Sequence, residues 1–494
     1  MILPKNPIRH TNKNKKQKSK KIQKEKHSQN KEFTVITYIF LGLFLALMAY
    51  FVYFQVFKSQ TFINNSYNKR IDAFAKKVVR GEILDRNKNV LADTKISSSG
   101  TETRAYPYND LFSQVVGFST NGKSGLESSM NFNLLSSHAP LLERAKNEFQ
   151  GNKSIGDNVI TTLDVDMQKT AYKALGNNDG AVIVMEPSTG KILAMVSKPD
   201  YDPNSIEKEW NQIIKNKDNK SVLINRATQG LYPPGSTFKI FTTLEYIREN
   251  KDYGKYQFDC NGSFTQGDTT IHCYNNEKHG KENLEESFAQ SCNSSFANIG
   301  LTLKISSFSD LCNSLLFNQE LPYEFGSSKS SFKLKEKASD SDIMQTAIGQ
   351  GETVVTPLHM AMITSAIANN GILMKPYLVS EIQNYQGATV KVYQPEESQK
   401  LISSDETKIM QKFMKSVVTD GTGEKLDNQS YDAYGKTGSA EYTDTDKSSH
   451  AWFVGYAHQA GKTDISVSIV VEGAGSGSSY AVPIAKKILD EYYD

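Results

Sequence analysis

LYPPGSTFKIF, residues 231–241, puts a serine and a lysine three positions apart, directly after two prolines and a glycine. Pro233 and Pro234 cannot continue a regular element, and Gly235 permits tight backbone geometry, so the chain stops and restarts at Ser236. From there STFKIFTTLEYI repeats Phe238, Phe241, Leu244 and Ile247 at i, i+3, which predicts a helix over 236–248 with one buried stripe. Ser236 and Lys239 share a neighbouring face, the hydroxyl at the positive helix end. A serine oxygen attacks well only when a base within reach takes its proton. Lys239 is placed to be that base, provided burial or a nearby cation lowers its pKa from the usual value of about 10.4. Ser-x-x-Lys also occurs at Ser28, Ser66, Ser188 and Ser330, so the pair alone decides nothing.

Two further segments give it company. SFAQSCNSSFANIG, residues 287–300, carries Ser291, Cys292 and Asn293 ahead of a helical pattern. Lys436, Thr437 and Gly438 occur together only once in the chain, within the strand-like YGKTGSAEY. On a strand edge, Lys436 to Ser439 would offer a cation, hydroxyls and free N–H groups to an extended peptide ending in a carboxylate. A phosphate-binding loop is excluded, because it needs glycine where Ser430 stands and a helix where SAEYTDT follows.

The chain has 494 residues and 38% hydrophobic content, enough for more than one domain and a sizeable core. Residues 1–32 carry 11 Lys or Arg against two Glu and no apolar run, a basic arm expected to be flexible. The arm's charge of +9 leaves about −6 for the remainder, so the net +3 does not point to nucleic acid. Residues 33–57 contain no charge and are long enough to cross a bilayer, an uncleaved single-pass anchor rather than a signal peptide. Lysines on its N-terminal side predict a cytoplasmic tail and an extracytoplasmic remainder at the cell membrane.

Residues 58–160 read as a small pedestal, with a hairpin in RGEILDRNKNVLADT and a helix over 134–150. From 161 the pattern changes. GAVIVMEPSTGKILAMVS is a second hairpin, LHMAMITSAIAN is helical, and YGKTGSAEY, HAWFVGYA and DISVSIVVEG read as three strands before the closing helix PIAKKILDEYY. In that helix Ile484, Ala485, Ile488, Leu489 and Tyr492 share a face. The order predicts an α+β domain in which both chain ends meet in one mixed sheet covered on both sides. Arg80, Asp85 and Arg86 read as structural, Gln350 between two glycines as a turn, Trp452 and Phe453 as packing residues, and His450 as a local hydrogen-bonding group. Cys260 and Cys273 flank a polar loop and could pair, though the sequence does not decide whether they do. With His272 and His279 they also invite zinc, but at no usual ligand spacing, so a metal ranks below a disulfide and below two free thiols.

Ser-x-x-Lys at a helix start, Ser-x-Asn 55 residues on, and Lys-Thr-Gly 145 residues later form the ordered pattern of penicillin-recognising serine enzymes. Here the middle motif reads Ser-Cys-Asn. With the single anchor, RGEILDRN at 80–87, GLE at 125–127, IGQGETVVTPLHMA at 348–361 and HAWFVGYA at 450–457, the chain after residue 33 resembles class B penicillin-binding proteins. The resemblance implies a β-lactamase-like transpeptidase domain with a five-stranded sheet over 161–494, and a peptidoglycan D,D-transpeptidase that releases D-alanine and is inhibited by β-lactams. It implies Ser236 as nucleophile, Lys239 as its base, Ser291 as proton donor to the leaving amine, Asn293 as substrate holder and Lys436 as a source of positive potential. Thr437, Gly438 and Ser439 would line the carboxylate site, with the N–H groups of Ser236 and Ser439 as oxyanion hole. No cofactor or metal is implied, and a membrane glycan polymerase of the SEDS type is the implied partner. The alternatives are a D,D-carboxypeptidase or β-lactamase of the same fold, and a non-catalytic β-lactam-sensing receptor.

Overall fold

Apolar runs from the two ends of the catalytic segment build one sheet. Its strands lie in the order Asp432–Glu441, Ser449–His458, Ile465–Val471, Gly180–Met185 and Ile192–Lys198. The computed structural model describes residues 12–55, 75–215, 221–441 and 449–494. All four pairings in this sheet are antiparallel. The mixed character expected of it occurs instead in a second sheet, where Ile83–Leu84 runs parallel to Val159–Ile160. Three of the four pairings join strands consecutive in the chain by short connections, which can only be antiparallel, and the fourth sets Ile465–Val471 antiparallel to Gly180–Met185 from the other end of the segment.

Every residue of Ile465–Val471 is buried, and so is every residue of Gly180–Met185. The alternation Ile465, Val467, Ile469 therefore separates two covered faces rather than core from solvent. The isoleucine face meets the helices Val165–Leu175 and Gly477–Tyr493. On the opposite face the Ser466 and Ser365 hydroxyls meet at 2.6 Å, bringing the apolar helix Pro357–Ala368 against the sheet. The closing helix begins at Gly477, before the expected Pro483, because Ser476 caps it by accepting from Ser479 N. Its last inward ring is Tyr493 rather than Tyr492, and the Tyr493 hydroxyl donates to Ala457 O at 2.5 Å.

The hairpin around Asn87–Asn89 forms as expected, with Asp85 Oδ1 accepting from Asn87 N and Asn89 N at 2.8 Å. It belongs to a six-stranded sheet that also takes in Asn158–Thr161 and, from far along the chain, Val379–Gln383 and Thr389–Val392. Glu127 of the GLE motif is buried between Arg80 and Arg104, each at 2.6 Å. Arg86 reaches Glu186 at 3.2 Å, tying the first hairpin to the turn of the second. The helix expected over 134–150 occupies only Leu141–Gln150, since Pro140 disfavours helix in the residue before it.

The chain forms two units, residues 1–68 and 69–494. Within the first, one helix runs Asn12–Tyr53, and its Lys31–Tyr53 portion is apolar enough to cross a membrane, with a mean hydropathy of 2.4. Residues 12–32 thus continue the helix instead of forming a flexible arm. Lys, Gln and Glu are good helix formers, and the apolar segment supplies the nucleus from which the helix propagates. Residues 1–11 of the basic segment, 56–57 of the apolar run and 58–74 of the pedestal lie outside the described residues.

Candidate active site

Ser236 sits in a single 3-10 turn, Gly235–Phe238, that leads into the helix Lys239–Glu249. The expected stripe is inside, with Phe238, Phe241, Leu244 and Ile247 all buried. That burial carries Lys239 into the core with them, fully enclosed. Gly235 has φ 52°, and a Cβ there would lie 2.8 Å from Ser439 O. Gly349 closes the same spot from below, since a Cβ on it would come within 1.9 Å of Gly235 O. IGQGE therefore does more than turn the chain at Gln350: it provides the floor on which the serine turn rests. Trp452 completes the frame by donating from Nε1 to Pro233 O at 3.1 Å.

Ser291 occupies the left-handed region, with φ 58°, at the end of the helix Leu284–Ala289. The N–H of Ser291 donates to Phe288 O and that of Cys292 to Ser287 O, at 3.2 and 2.9 Å, the two bonds of a Schellman cap. Glycine is the usual occupant of that position, and a serine there holds a hydroxyl in place at a backbone cost of about 1–3 kcal/mol. Cys292 then caps the next helix, Asn293–Thr302.

These segments converge on Lys239. Its Nζ lies 3.1 Å from Ser236 Oγ, 2.6 Å from Ser291 O, 3.3 Å from Ser291 Oγ and 2.7 Å from Asn293 Oδ1. A neutral amine can donate to Ser291 O and Asn293 Oδ1 and keep its lone pair for the Ser236 proton. Asn293 Nδ2 donates to His272 O at 3.0 Å. From the sheet edge, the buried Lys436 donates to Ser291 Oγ at 2.8 Å and to Thr437 O at 3.1 Å. Burial lowers the Lys239 pKa to about 8, while Cys292, Cys273 and Glu282 oppose the shift. Burial, and after it the charge of Lys239, hold the Lys436 amine well below its ordinary value.

Lys-Thr-Gly lies on the outermost strand of the central sheet. Thr437 Oγ1 meets Thr422 Oγ1 at 2.5 Å, and Ser439 Oγ accepts from Gly477 N at 3.3 Å. A Cβ on Gly438 would come 3.0 Å from Thr237 Cγ2 and 3.1 Å from Pro234 O, so a larger residue would have to push the strand and the serine turn apart by a few tenths of an ångström. The chain thus brings Ser236, Lys239, Ser291, Asn293 and Lys436 into one hydrogen-bonded group, with Thr437, Gly438 and Ser439 along its rim. Two of the rival pairs are engaged elsewhere, since Lys191 faces Glu186 at 3.6 Å and Ser330 Oγ accepts from Thr356 N, whereas Ser66 and Lys69 lie outside the described residues. His450 is a local acceptor from Gly473 N, as expected. Sequence reasoning missed Gly349, Thr422 and the hydrogen-bonding role of Trp452; only the first two lie in Gly/Thr-rich stretches that could have flagged a close approach.

Of the states left open for the cysteines, the structure has free thiols: Cys260 and Cys273 are unbridged, their Sγ atoms 3.6 Å apart, and Cys292 and His279, but not His272, gather with them.

A family model described as the penicillin binding protein transpeptidase domain matches residues 180–490, and one described as the penicillin binding protein A dimerisation domain matches 80–159. Peptidoglycan D,D-transpeptidase PbpA of Mycolicibacterium smegmatis is 28% identical over 478 residues, covering 90% of this chain and 95% of its own length. Among solved structures, the D,D-transpeptidase domain of a peptidoglycan glycosyltransferase from Eggerthella lenta is 30% identical, with a TM-score of 0.75 over 84% of this chain and 99% of that one. The ceftriaxone acyl-enzyme of penicillin-binding protein A from M. tuberculosis is 25% identical, with a TM-score of 0.77 over 86% and 100%.

Proposed function

The chain belongs to the penicillin-binding protein transpeptidase family, and on that premise we infer that it is a serine-type peptidoglycan D,D-transpeptidase, acylated and inhibited by β-lactams. One observation carries the assignment of roles: the Lys239 amine touches both the Ser236 and Ser291 hydroxyls. Neutral Lys239 takes the Ser236 proton as Oγ attacks the carbonyl of the penultimate D-alanine of a stem peptide. The Ser236–carbonyl bond forms, and the oxyanion is met by the N–H groups of Ser236 and Ser439, each such donor worth about 3–4 kcal/mol. Ser291 gives its proton to the leaving nitrogen, D-alanine departs, and the proton is replaced from Lys239 across the 3.3 Å contact. An acceptor amine then attacks the ester, and the cross-link forms as Ser236 recovers its proton. Lys436 holds Ser291 in place and adds positive potential for the substrate carboxylate at Thr437, Gly438 and Ser439.

The division of labour follows the segments: 1–32 a cytoplasmic tail, 33–57 the anchor, 58–160 the pedestal and 161–494 the catalytic domain outside the membrane. The lysine-rich flank of the apolar helix supports that orientation. A membrane glycan polymerase of the SEDS type is the fitting partner, because the enzyme needs newly made strands at the membrane surface; co-purification from detergent extracts tests it. The reaction itself is tested with a stem-peptide thioester and an acceptor amine. Cross-linked product with release of the leaving group is expected, and hydrolysis without transfer would turn the reading to a D,D-carboxypeptidase.

A further inference from the structure

The pedestal helix Leu141–Gln150 is turned inside out. Its sequence LLERAKNEFQ, at about 100° per residue, sets Leu141, Leu142, Ala145 and Phe149 on one face and Glu143 and Asn147 on the opposite one. A helix that packs on its own domain turns the apolar face inward, and here the polar face takes that place. Glu143 and Asn147 are the partly buried residues, while Leu141 is 78% exposed, Leu142 87% and Phe149 94%. Polar contacts fix this rotation: Glu143 Oε1 accepts from the Tyr385 hydroxyl at 2.6 Å, and Glu148 meets Lys77 at 3.3 Å. None of the ten residues is buried, so the helix keeps its place without contributing to the core. Large apolar side chains held together in water are costly, and a fold that keeps them there marks a surface of interaction.

We propose that this helix lies in the interface of the bilayer that anchors the chain, with Leu141, Leu142 and Phe149 among the acyl chains. Side chains exposed to this degree project from the domain rather than line a groove. A fluid acyl layer closes around projecting groups of any shape, whereas a protein partner has to present a matching cavity. Arg144 and Lys146 flank the apolar face, one on each side, where long cationic side chains reach lipid phosphates while their stems lie along the apolar boundary. The helix also sits where the chain arrives from the membrane. Glu148 holds Lys77, and Lys153, just beyond the helix, donates to Ala75 O at 3.3 Å.

Only residues 56–74 separate that point from the apolar helix. A segment of that length spans at most about 70 Å, so the pedestal helix is tethered within reach of the lipid surface. Tethering makes docking intramolecular, and a short helix with weak affinity of its own then stays bound. With the anchor as one attachment and the helix as a second, the pedestal holds the catalytic domain at a set height over the membrane. The leaflet it stands on rests on the outward orientation proposed above.

The test uses the full-length protein in nanodiscs of phosphatidylethanolamine and phosphatidylglycerol. A nitroxide on Leu142→Cys or Phe149→Cys is expected to collide with dissolved oxygen more than with a water-soluble nickel chelate, at a depth of about 5–10 Å. One on Lys337→Cys, exposed on the catalytic domain, shows the reverse. The unsubstituted protein, whose four cysteines are buried, gives the labelling background. Adding Leu142→Glu and Phe149→Glu moves a label on Ala145→Cys from the oxygen-accessible to the nickel-accessible regime, and an unchanged rate of acylation by a fluorescent penicillin shows that this variant folds. In intact cells a photoreactive group on the Leu142→Cys thiol gives lipid adducts. Labels at 142 and 149 that meet nickel as freely as the one at 337, or a photo-adduct to a protein, a second copy of this chain included, would overturn the proposal. Protease access to the domain from outside the cell decides the orientation, whereas label accessibility decides the docking, so the two readings fail separately.

Discussion

Lys436 and Asn293 reach the same cluster of hydroxyls from opposite sides, yet they are held there by different physics. Lys436 rides on a strand whose neighbours in the sheet are buried on both faces, so its position is set by dense hydrophobic packing. Asn293 follows a left-handed serine at a helix junction, and the segment beside it belongs to thin, solvent-facing ribbons joined by three thiols and a histidine. A site built this way has one rigid wall and one wall whose rigidity depends on side-chain chemistry. Both walls bury a lysine, Lys436 from the sheet and Lys239 from the helix, and burial lowers the pKa of each, which makes the neutral amine more accessible than in an exposed lysine.

Perturbing each side separates the two. The largest effect is expected from Lys239→Met, which keeps the packing and removes the base: the second-order rate of acylation by benzylpenicillin should fall by about 10²–10⁴. A loss of only a few-fold would move the base elsewhere. Next, Ile469→Ala opens a cavity between the sheet and its covering helices and should cost about 2–5 kcal/mol in denaturant unfolding. Thr265→Ala on the exposed ribbon should change stability by no more than about 0.5 kcal/mol. Equal effects would erase the distinction between the two walls.

The pH profile comes third. The Lys239 amine is enclosed, with Lys436, Cys273, Cys292 and Glu282 around it, and its pKa of about 8 lies below that of an exposed lysine. Acylation needs the neutral form, so the rate should climb about tenfold per pH unit below 8 and level off above it. The same shift makes folding stability rise with pH between about 8 and 10.4, where the unfolded chain holds a proton that the folded one has released. A profile flat from pH 6 to 9 would remove Lys239 as the base. The smallest effect is expected from Trp452→Phe, which deletes the hydrogen bond to Pro233 O while keeping a ring, worth about 0.5–1.5 kcal/mol and a few-fold in acylation.

What was legible in the sequence divides along the same line. Periodicity located the Ser236 helix, the two hairpins and the three late strands, because each buries a continuous apolar surface. Motif order then identified every residue that meets at Lys239. The mixed sheet was misplaced because periodicity marks where strands lie but carries no information on the direction in which distant strands pair. The helical start at Asn12 escaped because charge suggested a free tail where propensity and an adjoining apolar helix sustain a helix. Gly349 under Gly235 and Cys292 beside Cys260 were hidden for a simpler reason. They lie 114 and 32 positions apart, and only tertiary structure brings them together.

The central claim is that the Ser236 oxygen becomes the acyl carrier because the Lys239 amine lies against it. Intact-protein mass spectrometry after benzylpenicillin, followed by peptide mapping, tests it most directly. One adduct on the peptide containing residues 231–241 is expected in the wild-type protein, and none in Ser236→Ala. An adduct that persists in that variant, or that maps to another peptide, would contradict it.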